Sequence, residues 1–202
     1  MSFQYYEDLK QLARDVRQEF GLEGPRVLKS DLKRIYKEKE ITLDYWPHKL
    51  KGVRGAYFND ESGVSIMISK GLPEDPMVFT MAHELKHHLK DSSAGMVNCL
   101  SKEASRPIEI GAEVFAAEFL FPEGLFLEMM DDMGVQTGKC CAEHIVRLKR
   151  ETKTTLSYAG LVKKAEWLKL AVQGTLPQSG WIKLEEQIYG VPFYKQKYRR
   201  SP

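Results

Sequence analysis

The sequence predicts an α+β fold: a small twisted β-sheet, a helix carrying a His-Glu-x-x-His motif, and a mostly helical C-terminal portion. Two observations carry this. Apolar residues recur at helical spacing up to about residue 38, switch to strand-like segments between 40 and 69, and return to helical spacing after residue 75. Gly, Pro and polar clusters separate these stretches, and no internal repeat or low-complexity segment interrupts them.

The first helix covers 4–20, where Tyr6, Leu9, Ala13, Val16 and Phe20 form one stripe and Gly21 ends it. A second covers 28–38, with Leu28, Leu32, Ile35 and Tyr36 inward. "EITLDYW" (40–46) reads as a strand, and "GVRGAYFNDESGVSIMIS" as two more, at 53–59 and 64–69, joined by a turn over Asn59–Gly63. In "EDPMVFTMAHELKHHLK", Asp75 is the expected N-cap and Pro76 the first helical residue. The stretch 91–105 is a polar connector. A helix then runs from Pro107, near Ser105, to Leu120, and Pro122 begins another. Two more, at 140–151 and 157–171, flank "TKTT". From Gly174 the chain is Gly/Pro-punctuated and ends basic and aromatic. The expected organisation is a catalytic-type domain over 1–174, with 140–171 as a helix-turn-helix-like subdomain and 175–202 as a C-terminal extension.

The 202 residues are enough for one well-buried domain, and 43% apolar with 29% charged residues is ordinary globular composition. A net charge of +2 gives no global field towards nucleic acid or an anionic membrane. No apolar run approaches the roughly 18–20 residues that span a bilayer, and the N-terminus lacks the basic-then-apolar order of a secretory signal. Cys99, Cys140 and Cys141 form neither a disulfide framework nor a CxxC zinc ribbon. The expectation is a cytoplasmic, reduced protein without a membrane partner.

"MAHELKHHLK" (81–90) carries the chemistry. Residues four apart on a helix lie one turn above each other, so His83 and His87 share a stripe. Glu84 lies about 100° round from His83, which lets it reach a water on the ion while two imidazoles hold the ion. This is the zinc peptidase signature, with Glu84 as general base. His88 is turned about 140° from His83 and reads as a packed or supporting histidine. The bland alternative, a surface helix with chance histidines, is disfavoured because Val78, Ala82, Leu85 and Leu89 make an apolar face away from His83 and His87.

Catalytic zinc normally keeps three protein ligands and an open position. Downstream of this run the next histidine is His144, and no third histidine stands at extension spacing. "PIEIGAEVFAAEFLFP" (107–122) is apolar on most sides yet carries Glu109 and Glu113 one turn apart. Buried carboxylates need partners, and a dication with a histidine N–H would serve. The economical assignment makes Glu109 the third ligand and Glu113 the acceptor that orients a liganding histidine. The reverse assignment, and a reading in which both face solvent or lysines, stay open. Zinc suits two imidazoles and a carboxylate; manganese or iron could also occupy such a site.

Together these stretches resemble the ImmA/IrrE family of metallopeptidases. "VFTMAHELKHHL" is similar to its metal helix, "IEIGAEVFAAEFLFP" to its E-x-x-A-x-x-F-A-x-x-L-x-x-P helix, and "TTLSYAGLVKKAEWL" to its later V-S-x-x-A-L-x-x-R-L segment. The resemblance covers about 5–170. It implies Glu109 as third ligand and an intracellular endopeptidase whose targets are helix-turn-helix transcriptional repressors of prophages, mobile elements or stress regulons. The departures are Lys86 where a glycine is usual, Glu113 where Asn or Asp is usual, and Lys164-Ala165 in place of Arg-Leu.

The expected chemistry is hydrolysis by a metal-activated water that Glu84 deprotonates. Tyr158, His144 and His88 are candidate donors to the oxyanion. "GVSIMIS" is a candidate edge for a substrate strand, beside a plain core role. The rival class is a DNA-binding or sensing regulator that keeps the metal site without proteolysis. Helices 140–151 and 157–171 have helix-turn-helix proportions, and the "KQKYRRSP" tail mixes Lys/Arg with Tyr. A packed hairpin and a solvated tail are the plain readings of those features, and an intact Glu84 weighs against a mere binding module.

Overall fold

The computed structural model describes residues 3–46, 53–92 and 106–192. They form helices α1 (Phe3–Glu19) and α2 (Lys29–Glu38), strands β1 (Thr42–Trp46), β2 (Gly55–Asp60) and β3 (Gly63–Ser69), then α3 (Glu74–Asp91), α4 (Arg106–Leu120), α5 (Glu123–Asp132), α6 (Ala142–Thr152), α7 (Tyr158–Trp167) and α8 (Trp181–Tyr189). The α+β class is therefore as expected. The chain divides into two compact units: Met1–Leu125 with Thr154–Ser157, and Phe126–Lys153 with Tyr158–Pro202. No helix among the described residues is long and apolar enough to cross a membrane.

In the first unit the sheet order is β1-β3-β2, with β1 parallel and β2 antiparallel to β3. Ile66 and Ile68 of β3 are fully buried, as is Tyr57 of β2. The hairpin turns at Glu61–Ser62, where Asp60 Oδ1 accepts from the Ser62 amide at 2.8 Å and Gly63 takes φ +111°, a conformation other residues avoid. β3 lies between two paired neighbours, so "GVSIMIS" is not an edge and cannot receive a substrate strand. The sequence order of the strands hides this, because the parallel partner of β3 is β1, the strand farthest from it in sequence.

Helix α1 buries Leu9, Ala13 and Val16 against α4. The two approach closely at Gly111, where a Cβ would stand 2.8 Å from Leu9 Cδ1 and 2.9 Å from Tyr5 Oη. A third glutamate of α4, Glu118, is 1% exposed; its Oε1 accepts from Arg14 Nη1 at 2.9 Å, and its Oε2 from the Glu123 amide at 3.0 Å. Glu118 thus caps α5, supplying an acceptor to an amide at the helix start. Helix α2 starts with the Asp31 carboxylate accepting from the Leu28 amide at 2.7 Å, and Tyr36 Oη donates to the Met81 carbonyl of α3 at 2.7 Å.

Helix α3 begins at Glu74, with Pro73 in the cap position and no side-chain cap. The expected cap at Asp75 is displaced because the Met77 amide already bonds to the Pro73 carbonyl at 2.9 Å. Pro76 still sits in the first turn, where its missing N–H costs nothing. Val78, Ala82 and Leu85 are fully buried, as the apolar face requires. The connector's residues 93–105, including Cys99 and Ser105, lie outside the described residues.

In the second unit α6 ends at Lys153 in the left-handed conformation. Helix α7 stops at Trp167, short of the expected residue 171, and Lys169 (φ +62°) turns the chain there. Helix α8 forms within the stretch read only as Gly/Pro-punctuated, bounded by Gly180 and Gly190. Its anchors are aromatic: Trp181 stacks on Tyr158 with centroids 5.0 Å apart, and Arg150 lies 4.2 Å over Tyr189. The basic tail "KQKYRRSP" lies outside the described residues. Thr154–Ser157 returns to the first unit, where Thr155 Oγ1 donates to the Val27 carbonyl at 2.9 Å and Leu156 is 1% exposed.

Candidate metal centre

The i,i+4 spacing on α3 brings His83 and His87 together, their Nε2 atoms 3.3 Å apart. Helix α4 lies against α3 and delivers Glu109. Glu109 Oε2 is 3.2 Å from His83 Nε2, and Oε1 is 3.5 Å from His87 Nε2. Among the described residues, His83, His87 and Glu109 form the group whose ligand atoms lie within 4.8 Å of one another.

This triangle fits an ion. Metal–ligand bonds of about 2.0–2.2 Å at tetrahedral angles set ligand atoms about 3.3–3.6 Å apart; the two imidazole nitrogens are 3.3 Å apart, and the two Glu109 oxygens lie 3.2 Å from His83 and 3.5 Å from His87. Lone pairs converging at that range repel unless a cation or a proton lies among them. His87 is fully buried, and its Nδ1 lies 2.7 Å from Asp91 Oδ2. An ionised carboxylate only accepts, so Nδ1 carries the hydrogen and Nε2 presents its lone pair towards Glu109. Burial pushes the His87 imidazole below its ordinary pKa, with the Asp91 bond opposing only in part, which favours the neutral ring a metal needs. At His83 burial also pushes downward, but the bond to Glu109 and the charges of Glu84, Glu109 and Glu113 outweigh it, and the net shift is upward.

Glu84 is 1% exposed and lies against β2. A Cβ on Gly55 would stand 2.6 Å from Glu84 Oε1 and 2.5 Å from Thr80 Cγ2. Glycine is needed there for the close approach of backbone to carboxylate. Gly55→Ala should therefore displace Glu84 and destabilise the fold by about 1–3 kcal/mol. Thermal melts of the variant beside the wild type check the effect.

The other sequence-selected residues fall as follows. Glu113 is exposed one turn beyond Glu109, near enough for its charge to act on His83. The outer nitrogen of His87 goes to Asp91 rather than to Glu113. His88 is half-buried, with Nδ1 3.5 Å from Tyr57 Oη, and takes no place in the ligand triangle. Tyr158 and His144 belong to the second unit. There the Tyr158 hydroxyl donates to Glu185 Oε2 at 3.0 Å, and His144 Nδ1 accepts from the Cys141 amide at 3.1 Å at the start of α6. The sequence pattern does not single out Asp91, because it places the residue first in the polar connector. Its position four residues after His87, on one helical stripe, was the signal that could have found it.

Comparison with known proteins bears on the fold and the family. A solved "Mycobacterium tuberculosis transcriptional regulator" superposes with a TM-score of 0.56 at 17% identity, over 84% of this chain and 48% of that one. The chain thus spans about half the length of that protein, and the likeness is one of fold. No curated protein matches the chain. Residues 37–157, which hold all three strands and both helices of the site, match Peptidase_M78, the IrrE N-terminal-like domain. On that match the chain belongs to the Peptidase_M78 family, whose fold is that of a metal-dependent peptidase.

Proposed function

We propose that the chain is a zinc-dependent endopeptidase that works in the cytoplasm and cleaves a helix-turn-helix transcriptional repressor. The observation that carries the hydrolase part is the ligand triangle of His83, His87 and Glu109 beside the buried Glu84. The target class rests on the resemblance of the metal and Glu109 helices to their family counterparts.

In this reading His83, His87 and Glu109 hold the ion, and Glu113 supports His83 from the next turn. Zinc, when bound, supplies Lewis acidity and lowers the pKa of water towards 7. Glu84 accepts the water's proton on its carboxylate as the oxygen adds to the scissile carbonyl carbon. Glu84 then returns that proton to the leaving amine as the C–N bond breaks. Two neutral imidazoles and one carboxylate leave a net positive charge on the site. That charge favours the developing oxyanion.

The test is metal content followed by cleavage. Protein purified without chelator should carry one divalent ion per chain, and His87→Ala and Glu109→Ala should lose it. Stoichiometric metal retained in both variants would sink the ligand assignment. A helix-turn-helix repressor encoded beside this gene should be cut in the presence of metal and spared when a chelator is added. A repressor cut equally with and without chelator rules out the metallopeptidase reading.

A further inference from the structure

Lys86 lies within the motif between the two histidines, yet its side chain is fully buried. A buried ammonium costs several kcal/mol unless well partnered. Its Nζ donates to Asp91 Oδ2 at 2.7 Å and to the Ile108 carbonyl at 3.2 Å. Asp91 Oδ2 is the same oxygen that accepts from His87 Nδ1 at 2.7 Å. Ile108 immediately precedes Glu109 in the first turn of α4. One cation therefore touches both the carboxylate behind His87 and the backbone beside Glu109.

We infer that Lys86 and Asp91 are a positioning pair that sets the ligand triangle, and the inference rests on the metal-centre reading above. Asp91 fixes the His87 ring and its tautomer, so that Nε2 points at the ion. Lys86 holds the Asp91 carboxylate in place. By reaching the spare lone pair of the Ile108 carbonyl, it also fixes the spacing between α3 and the turn that presents Glu109. A glycine at position 86 could make neither bond. Burial of the three groups is one-sided: Lys86 and His87 are fully enclosed, while the Asp91 side chain is 12% exposed. The pair thus lies behind the ligands, where it can orient them without meeting a substrate.

The test uses the full chain and Zn²⁺ alone, measured by competition with a chromophoric chelator. Melting of the metal-free protein and the absorption spectrum of the Co²⁺ form are recorded beside it. Lys86→Met and Asp91→Asn should each fold and lose about 10–100-fold in Zn²⁺ affinity, with an altered Co²⁺ spectrum. Asp91→Ala should lose more than Asp91→Asn, since the amide oxygen still accepts from His87 Nδ1. The double variant should lose less than the product of the two single losses, because part of the Lys86 effect runs through the Asp91 carboxylate. Folded single variants with wild-type affinity and spectrum, even if less stable to heat, would overturn the pair and leave it a structural ion pair. Fully multiplicative losses would also overturn it. If Lys86→Met does not fold, Asp91→Asn and Asp91→Ala decide. A wild-type chain that binds no Zn²⁺ fails the metal-centre reading itself, a result distinct from equal binding by wild type and variants.

Discussion

Glu84→Gln should bind metal as the wild type does and lose peptidase activity by at least about 10²–10⁴-fold, the usual loss when a general base is removed. The substitution is nearly isosteric, and shape matters here because Glu84 is 1% exposed and packed against Gly55. Its amide fills the same space, so the packing of α3 on β2 survives. What disappears is the ability to take a proton from water and return it to the leaving amine. Glu84 lies outside the ligand triangle, so Zn²⁺ affinity should stay within a few-fold of wild type. Single-turnover cleavage of the proposed substrate with metal in excess isolates the chemical step. A variant that cleaves at the wild-type rate rules out the general-base mechanism. One that loses metal and activity together assigns Glu84 to the ion instead.

The second large effect separates the two exposed-side glutamates of α4. Glu109 places one carboxylate oxygen 3.2 Å from His83 Nε2 and the other 3.5 Å from His87 Nε2, at the apex of the triangle. Glu109→Gln removes the only anionic member of the donor set, so metal binding should weaken sharply and catalysis should be abolished. Glu113 is exposed, and it acts on His83 by its charge. Glu113→Gln should cost at most the 10–100-fold typical of a supporting group, with measurable metal and activity left. Chelator competition and single-turnover cleavage, run on both variants, give the order. If Glu113→Gln is the more damaging in both assays, the ligand sits one helical turn further along, and the peptidase reading survives.

What could be read from the sequence follows the range of the physics involved. The His83–His87 stripe is a helical-period fact: 3.6 residues per turn fix which side chains share a face before any tertiary contact forms, whereas the approach of Glu109 is a tertiary contact between α3 and α4, expected only because a buried carboxylate needs a partner. The strands could be found from composition, but their order could not, because a parallel β1–β3 pairing is a long-range choice that local pattern does not encode. The same limit explains the misread edge. Glu118 is the most buried carboxylate of α4 yet carries no sequence signal, because its partners Arg14 and Glu123 come from two other helices. In the sequence Lys86 is only a departure from glycine. Its role needs Asp91 to be helical and Ile108 to be near, and neither is a property of the motif. Helix α8 was hidden by the glycines that bound it, which read as loop until their stop positions are seen to frame nine helical residues.

The return of Thr154–Ser157 has a bearing on modularity. The unit that holds the candidate site is discontinuous in sequence: its chain leaves at Leu125, passes through part of the second unit, and comes back to bond Val27 and bury Leu156. The matched family segment stops at residue 157, the same point at which this stitch ends. A chain cut at Leu125 would strip the first unit of a four-residue segment in which Thr154, Thr155 and Leu156 are buried, whereas a cut after Ser157 keeps it.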